Sequence, residues 1–204
     1  MVSIDKNKVY IFDDILEPNT QDLLVDKIGV IEWTLARNTR PHTHKIKIKD
    51  SDIWNQNRPG LIQSFQFDDS IWTPTSKRWF VEPPISALQK KLGVSQLELQ
   101  RIKINLNPKD VPENKGSCFH PHSDMKTDEW TAIYYVNESD GDTLIFNEKG
   151  INHVLENKEL SIKKRVENKK GRIVMFNQSL LHCAMTPFKS DYRVVINYNF
   201  KILT

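Results

Sequence analysis

Beyond residue 98, apolar and polar residues alternate with a period of two over several short segments, each broken by Gly, Pro, Asn or Asp. Side chains of a strand point to opposite faces in turn, so this pattern commits the second half of the chain to half-buried, antiparallel β structure. In 101–107, Ile102, Ile104 and Leu106 share one face, and Arg101, Lys103, Asn105 and Asn107 share the other. In 131–137, Thr131, Ile133, Tyr135 and Asn137 oppose Ala132, Tyr134 and Val136. In 192–201, Tyr192, Val194, Ile196, Tyr198 and Phe200 oppose Arg193, Val195, Asn197, Asn199 and Lys201. Shorter strands are expected at 143–146 and 172–176. Alternation alone favours a sheet with one wet side; the other arrangement is a barrel whose polar faces line a ligand cavity.

The first half reads differently. Val9-Tyr10-Ile11-Phe12 is a short strand, and Asn19 to Asp22 offers an N-cap before the apolar positions Leu23, Leu24, Val25 and Ile28. Pro83-Pro84-Ile85-Ser86 is expected to open a second helix that stops at Gly93. Between Trp33 and Trp54 the chain has little helical periodicity and reads as a long loop with an edge strand, carrying Arg37, Arg40, His42 and His44. No repeat and no Gly/Ser- or Pro-rich linker divides the 204 residues, which are therefore expected to form one domain, with 1–98 supplying helices, loops and edge strands and 99–204 the β core.

Composition narrows the classes of function. With 29 basic and 26 acidic residues the charge is near balance, so nothing pulls the chain toward nucleic acid. The densest basic stretch, Lys163-Lys164-Arg165 with Lys169-Lys170, is interrupted by acidic and polar residues and reads as a solvated loop. No apolar run reaches the roughly 18 residues of a membrane helix, and the lysines near the start are not followed by the apolar stretch of a secretory signal. A cytoplasmic protein is expected. Two cysteines, Cys118 and Cys183, cannot build a disulfide framework and are expected to be reduced packing residues.

His120-Pro121-His122-Ser123-Asp124 puts two imidazoles and a carboxylate on one face of an extended segment. A His-x-Asp pair alone is common. Here a further histidine, His182, lies in a later β segment, and Arg193 follows eleven positions on, across a hairpin tip at 186–191. Two histidines and one carboxylate on one side of a metal form the facial triad that holds Fe(II) and leaves adjacent positions open. An arginine nearby supplies a planar, two-pronged donor for a carboxylate. For Arg193 the other reading is a surface residue paired with Asp191 or Glu148.

In order and spacing, His122-Ser123-Asp124, Ile133 to Asn137, Gly141 to Phe146, Gly171 to Phe176, His182 and Arg193 resemble the Fe(II)/2-oxoglutarate-dependent dioxygenases, and within them the prolyl 4-hydroxylase-like group. The resemblance covers residues 101 to 201, with a looser likeness over Val9 to Leu24. It implies a mainly β fold with flanking helices, a double-stranded β-helix or distorted jelly roll. It also implies that His122, Asp124 and His182 bind iron, that Arg193 pairs with the distal carboxylate of 2-oxoglutarate, that Tyr135 supports the same carboxylate, and that Thr143 lines that pocket.

The activity so implied couples oxidative decarboxylation of 2-oxoglutarate by O2, giving succinate and CO2, to hydroxylation of a C–H bond, with ascorbate as a reductant. The substrate so implied is a peptidyl or free amino acid such as proline, taken as a peptide or small-molecule partner. The neighbouring readings are an oxygenase of the same class acting on a small molecule or nucleobase, and a non-catalytic metal- or ligand-binding jelly roll like the cupins. The chain departs from the family pattern in three places. Asn105 or Asn107 stands where many relatives carry a further co-substrate tyrosine, Asp140-Gly141-Asp142-Thr143 replaces Gly-Gly-Glu-Thr, and His120 is an additional histidine that competes with the His122 and Asp124 assignment. The expected lids are the Trp33 to Trp54 stretch, with Trp54, Arg37 and Arg40 as candidates, and the loop at 108–119.

Overall fold

The computed structural model describes residues 4–36, 46–56, 60–66, 78–111, 115–125, 127–156 and 158–203. Its strands are β1 (Tyr10–Phe12), β2 (Thr34–Ala36), β3 (Trp54–Gln56), β4 (Gly60–Gln66), β5 (Gln96–Pro108), β6 (Ser117–Phe119), β7 (Trp130–Tyr135), β8 (Thr143–Lys149), β9 (Ile162–Val166), β10 (Ile173–Asn177), β11 (Leu180–Ala184) and β12 (Tyr192–Leu203). Two longer helices, α1 (Pro18–Asp26) and α2 (Arg78–Leu92), lie in the first half. Seven strands make one antiparallel sheet in the order β1-β10-β7-β12-β5-β4-β2, three make a second in the order β11-β8-β9, and β3 pairs with β6 in parallel.

The three alternating segments are neighbours: β12 runs between β5 and β7. Their register stacks like faces on like. On one side Ile102, Ala132, Tyr134, Ile196 and Tyr198 form a continuous apolar surface that packs against Leu24 of α1 and Phe80, Leu88 and Leu92 of α2. The other side is a ladder of polar rungs. Asn107 faces Arg193; Asn105, Val195 and Tyr135 form the next rung; then come Lys103, Asn197 and Ile133; then Arg101, Asn199 and Thr131. Although alternation alone favoured a wet outer face, this side is buried: Arg193, Asn197, Asn199, Thr131 and Asn107 are each below a tenth exposed. The large sheet and the β11-β8-β9 sheet share a further apolar cluster, in which Tyr135, Val174, Phe176 and Val195 meet Ile145, Val166 and Leu180. This is the expected distorted jelly roll, with its helices outside one sheet and its polar rungs inside.

Several local expectations need correction. α2 spans Arg78–Leu92 among the described residues, so Pro83 and Pro84 lie within it and do not open it. Two prolines deny the helix two N–H donors. Burial of Phe80 and Val81 against the sheet offsets that loss, and Tyr198 Oη donates to the Val81 carbonyl at 2.6 Å. Gly93 does end this helix, at φ +65° in the left-handed region. α1 starts one residue before Asn19, on Pro18, whose ring presets φ; Glu17 stands at the N-cap position without a side-chain cap. Lys163, Lys164 and Arg165 lie in β9, not in a loop, all three exposed on an edge strand, where charge discourages pairing with another sheet. The pattern in the sequence did not disclose β4 or β6. Arg37, Arg40, His42 and His44 lie outside the described residues, and Trp54 is an exposed residue of β3. No helix among the described residues is long and apolar enough to cross a membrane.

Because the Tyr198 hydroxyl ties α2 to the middle of the sheet, Tyr198→Phe is expected to lower the unfolding free energy by about 1 kcal/mol, read from the midpoint of chemical denaturation. An unchanged midpoint would show that this bond adds nothing to the docking of the helix.

Candidate functional site

His122 follows β6 and His182 sits in β11; the two segments meet edge to edge at these residues. The His122 N–H donates to the His182 carbonyl at 3.0 Å, and the His182 N–H donates back to the His122 carbonyl at 2.8 Å. This pair of main-chain bonds brings together rings sixty positions apart, with centroids 4.6 Å from each other. Each Nδ1 lies 3.2 Å from a main-chain carbonyl, of His120 for His122 and of Leu180 for His182. A carbonyl only accepts, so each neutral ring carries its proton on Nδ1 and turns an unprotonated Nε2 inward. The Phe176 ring stands edge-on to His182 at 5.0 Å and limits its rotation.

Both Nε2 atoms face Asp124. The His182 Nε2 is 3.6 Å from Oδ2, and the His122 Nε2 is 4.0 Å from Oδ1. One ligand atom from each of the three residues can be chosen so that all lie within 4.8 Å of one another. Ligands at right angles about a metal, with bonds of about 2.1 Å, sit roughly 3 Å apart, so a small contraction completes a facial set. The donor chemistry agrees: two neutral imidazole nitrogens, their far nitrogens tied to carbonyls, and one carboxylate are the set expected for a non-haem Fe(II). His120 is buried and lines the same cavity, with Nδ1 3.2 Å from the Pro121 carbonyl, but it is not part of this cluster.

The Asp124 side chain is 1% exposed. Burial pushes its carboxyl up, but the His182 imidazole when protonated, the Arg101 guanidinium, the His122 imidazole when protonated and a hydrogen bond from Asn199 outweigh burial and hold it well below the usual carboxylate range. It is therefore an anion, already paired on one oxygen with Arg101.

At the other end of the cavity Arg193 is 2% exposed. Its Nε donates to the Gly141 carbonyl at 2.7 Å, its Nη2 to Thr143 Oγ1 at 2.9 Å and its Nη1 to Asn107 Oδ1 at 3.3 Å. All three acceptors are neutral, and no ion pair joins Arg193 to a carboxylate among the described residues, so the alternative of a surface arginine paired with Asp191 or Glu148 falls away. Gly141 permits this approach: a Cβ there would come within 2.8 Å of the Arg193 Cδ. Burying a guanidinium among neutral groups is costly, and the favourable completion is an anion. Burial itself pulls the Arg193 pKa down, yet an arginine remains charged.

Thr143 Oγ1 accepts from both Tyr135 Oη, at 2.7 Å, and Arg193. With both lone pairs used, its own proton is left to donate elsewhere. Tyr135 is fully buried and its ring lies 5.6 Å from the Arg193 guanidinium carbon, so its hydroxyl acts on this end of the cavity through Thr143. Asn105 and Thr143 line the cavity together with His122, Asp124, His182 and Arg193. Cys118 of β6 and Cys183 of β11 are buried free thiols in one apolar cluster with Leu144 and Phe146 of β8, and Cys183 also borders the cavity.

Sequence reasoning missed the residues that hold the site together. Arg101, Thr131, Asn197 and Asn199 all donate to Asp124, and Asn107 braces Arg193. Alternation had placed each on a polar face. Only the register of β5, β7 and β12 puts them on adjacent rungs beside one carboxylate.

Residues 110–201 match the 2OG-Fe(II) oxygenase superfamily. No curated protein matches the chain. Among solved structures, an oxidoreductase of the 2OG-Fe(II) oxygenase family from Burkholderia pseudomallei aligns with a TM-score of 0.59 at 9% identity, over 95% of this chain and 84% of its own. A prolyl hydroxylase from Trichoplax adhaerens, in complex with a hypoxia inducible factor oxygen degradation domain peptide fragment, aligns at 0.57 and 10% identity, over 96% and 84%. A prolyl-4-hydroxylase from Pseudomonas putida aligns at 0.53 and 14% identity, over 96% and 93%. At such identities the likeness is one of fold, the double-stranded β-helix.

Proposed function

With residues 110–201 belonging to the 2OG-Fe(II) oxygenase superfamily, we propose that this chain hydroxylates a C–H bond of a peptidyl or free amino acid such as proline, consuming 2-oxoglutarate and O2 and releasing succinate and CO2. The observation that carries the reading is the pairing, in one cavity, of a His122-Asp124-His182 cluster with a buried Arg193 whose bonded partners are all neutral. One end suits a divalent metal and the other a carboxylate, which together describe the two functional ends of a 2-oxo diacid. The choice of an amino-acid substrate is supported by the prolyl hydroxylases among the structures of like fold.

His122, Asp124 and His182 would hold Fe(II), which would supply the redox chemistry for O2 activation. The chain's own residues do the rest. The Nδ1 bonds to the His120 and Leu180 carbonyls keep both Nε2 atoms unprotonated and aimed at the same point. Arg193, with the Thr143 hydroxyl beside it, takes the distal carboxylate and so fixes how far the oxo-acid end extends along the rungs toward Asp124. Tyr135 holds Thr143 in the orientation that leaves its proton available. Ile133, Val195 and Phe119 give the cavity its apolar wall and limit the water around the reacting end.

Aerobic turnover with Fe(II) and 2-oxoglutarate, followed by succinate release across panels of proline-containing peptides, free amino acids and small molecules, tests this. We expect Fe(II)-dependent succinate, raised by at least one prolyl or amino-acid compound that gains a single oxygen atom. Succinate that never exceeds a metal-free control would leave a binding protein; stimulation only by compounds of another class would move the substrate while keeping the reaction.

A further inference from the structure

Asp124 meets four side chains from three strands. Arg101 Nη2 reaches Oδ1 at 2.6 Å, while Thr131 Oγ1 and the Asn199 and Asn197 amides reach Oδ2 at 2.9, 3.1 and 3.3 Å. Further bonds close the ring: Arg101 Nε donates to Asn199 Oδ1 at 2.9 Å, and Asn199 Nδ2 donates to Thr131 Oγ1 at 2.8 Å. Arg101, Asn199 and Thr131 are direct cross-strand neighbours on β5, β12 and β7, so the ring is built into the sheet's register. Three of the four donors to the carboxylate are neutral and suffice to fix its direction. Only Arg101 brings charge, and it does so on the oxygen that faces His122.

We propose that Arg101 is a positioning residue that holds the ligand carboxylate of Asp124 while its charge keeps the divalent-metal affinity of the triad below what the three ligands would reach without it. This rests on the metal-binding reading above. Three donors crowd Oδ2, so Oδ1, which has Arg101 as its short donor, is the oxygen with a lone pair to offer, and the carboxylate serves as a one-oxygen ligand. A guanidinium on that same oxygen stands about 4–5 Å from a cation bound there, and a single charge at that range repels a divalent ion by a factor of about ten or more in affinity even at the dielectric of water. Thr131, Asn197 and Asn199 continue to orient Asp124 when Arg101 is replaced, so the loss of charge outweighs the loss of orientation. Asp124 would then offer the metal a single oxygen beside one nitrogen each from His122 and His182.

The test is anaerobic Co(II) and Fe(II) affinity by chelator competition, with the visible Co(II) spectrum reporting the ligand set and circular dichroism reporting the fold. Arg101→Met is expected to bind metal about tenfold tighter or more. Arg101→Lys, which keeps the charge, should stay within about threefold of the wild type, and Thr131→Val, which removes a neutral donor, should not bind tighter. Arg101→Gln carries the same expectation as Arg101→Met and stands in for it if that variant does not fold. A folded, charge-neutral variant that binds metal equally or more weakly overturns the proposal while the oxygenase reading stands. A wild-type chain that takes up neither metal ends both.

Discussion

His182→Ala is expected to weaken Fe(II) binding by at least about a hundredfold while leaving the sheet intact. Loss of an orienting partner alone costs a metal site about 10- to 100-fold, and here a proposed ligand itself is removed. Two donors, His122 and Asp124, then remain, and neither can move to replace the third: the His122 ring is tied through Nδ1, and Asp124 is held by four side chains. The fold should survive because the contact that joins the two segments is main chain to main chain, between the peptide groups of residues 122 and 182, and does not use the imidazole. Anaerobic titration of the purified variant, with circular dichroism as a check on the fold, reads the result. Retained iron affinity in a folded variant would remove His182 from the ligand set and leave His120, which lines the same cavity, as the residue to examine next.

Arg193→Ala separates co-substrate binding from metal binding. The hydrogen bonds of Arg193 go to Gly141, Thr143 and Asn107, so the iron affinity should stay at the wild-type value. The 2-oxoglutarate concentration for half-maximal turnover should rise by about thirtyfold or more, the lower end of the 2–5 kcal/mol that a buried, hydrogen-bonded charge pair loses when one partner is cut. The physical ground is the company the guanidinium keeps: a carbonyl, a hydroxyl and an amide oxygen, with no carboxylate bonded to it among the described residues. Arg193→Lys should recover only part of the loss, because an ammonium cannot present two parallel donors and cannot also reach Gly141, Thr143 and Asn107. Steady-state kinetics in 2-oxoglutarate, run beside an iron titration, measures both quantities. An unchanged requirement would give Arg193 a purely structural task, bracing the turn at Gly141 against β12.

These two residues were legible in different ways. His182 was a third candidate because it lies in a later β segment with Arg193 eleven positions on; the resemblance to a family implied its role, and the main-chain bridge sets it beside His122. His122 and Asp124 could be paired from their spacing, because two residues apart on an extended chain share a face. α2 shows the limit of local rules. Its prolines argue for a helix start, yet the helix runs through them, since burial of Phe80 and Val81 and a hydrogen bond from Tyr198, more than a hundred positions away, outweigh two missing donors.

Within each strand, the order of residues alone decided which side chains share a face, and that was enough to put Arg101 on the polar face of one segment, Arg193, Asn197 and Asn199 together on a face of another, and to separate them from the apolar positions that carry the helices. Which rung each occupies, and that the polar face would be enclosed by a second sheet, was decided by the pairing of β5, β7 and β12 and by the closure of β11 over them. Alternation is a property of one strand's backbone geometry. Register and enclosure depend on contacts between segments up to a hundred residues apart, and so the four-donor hold on Asp124 and the buried cation at Arg193 exist only in the folded chain.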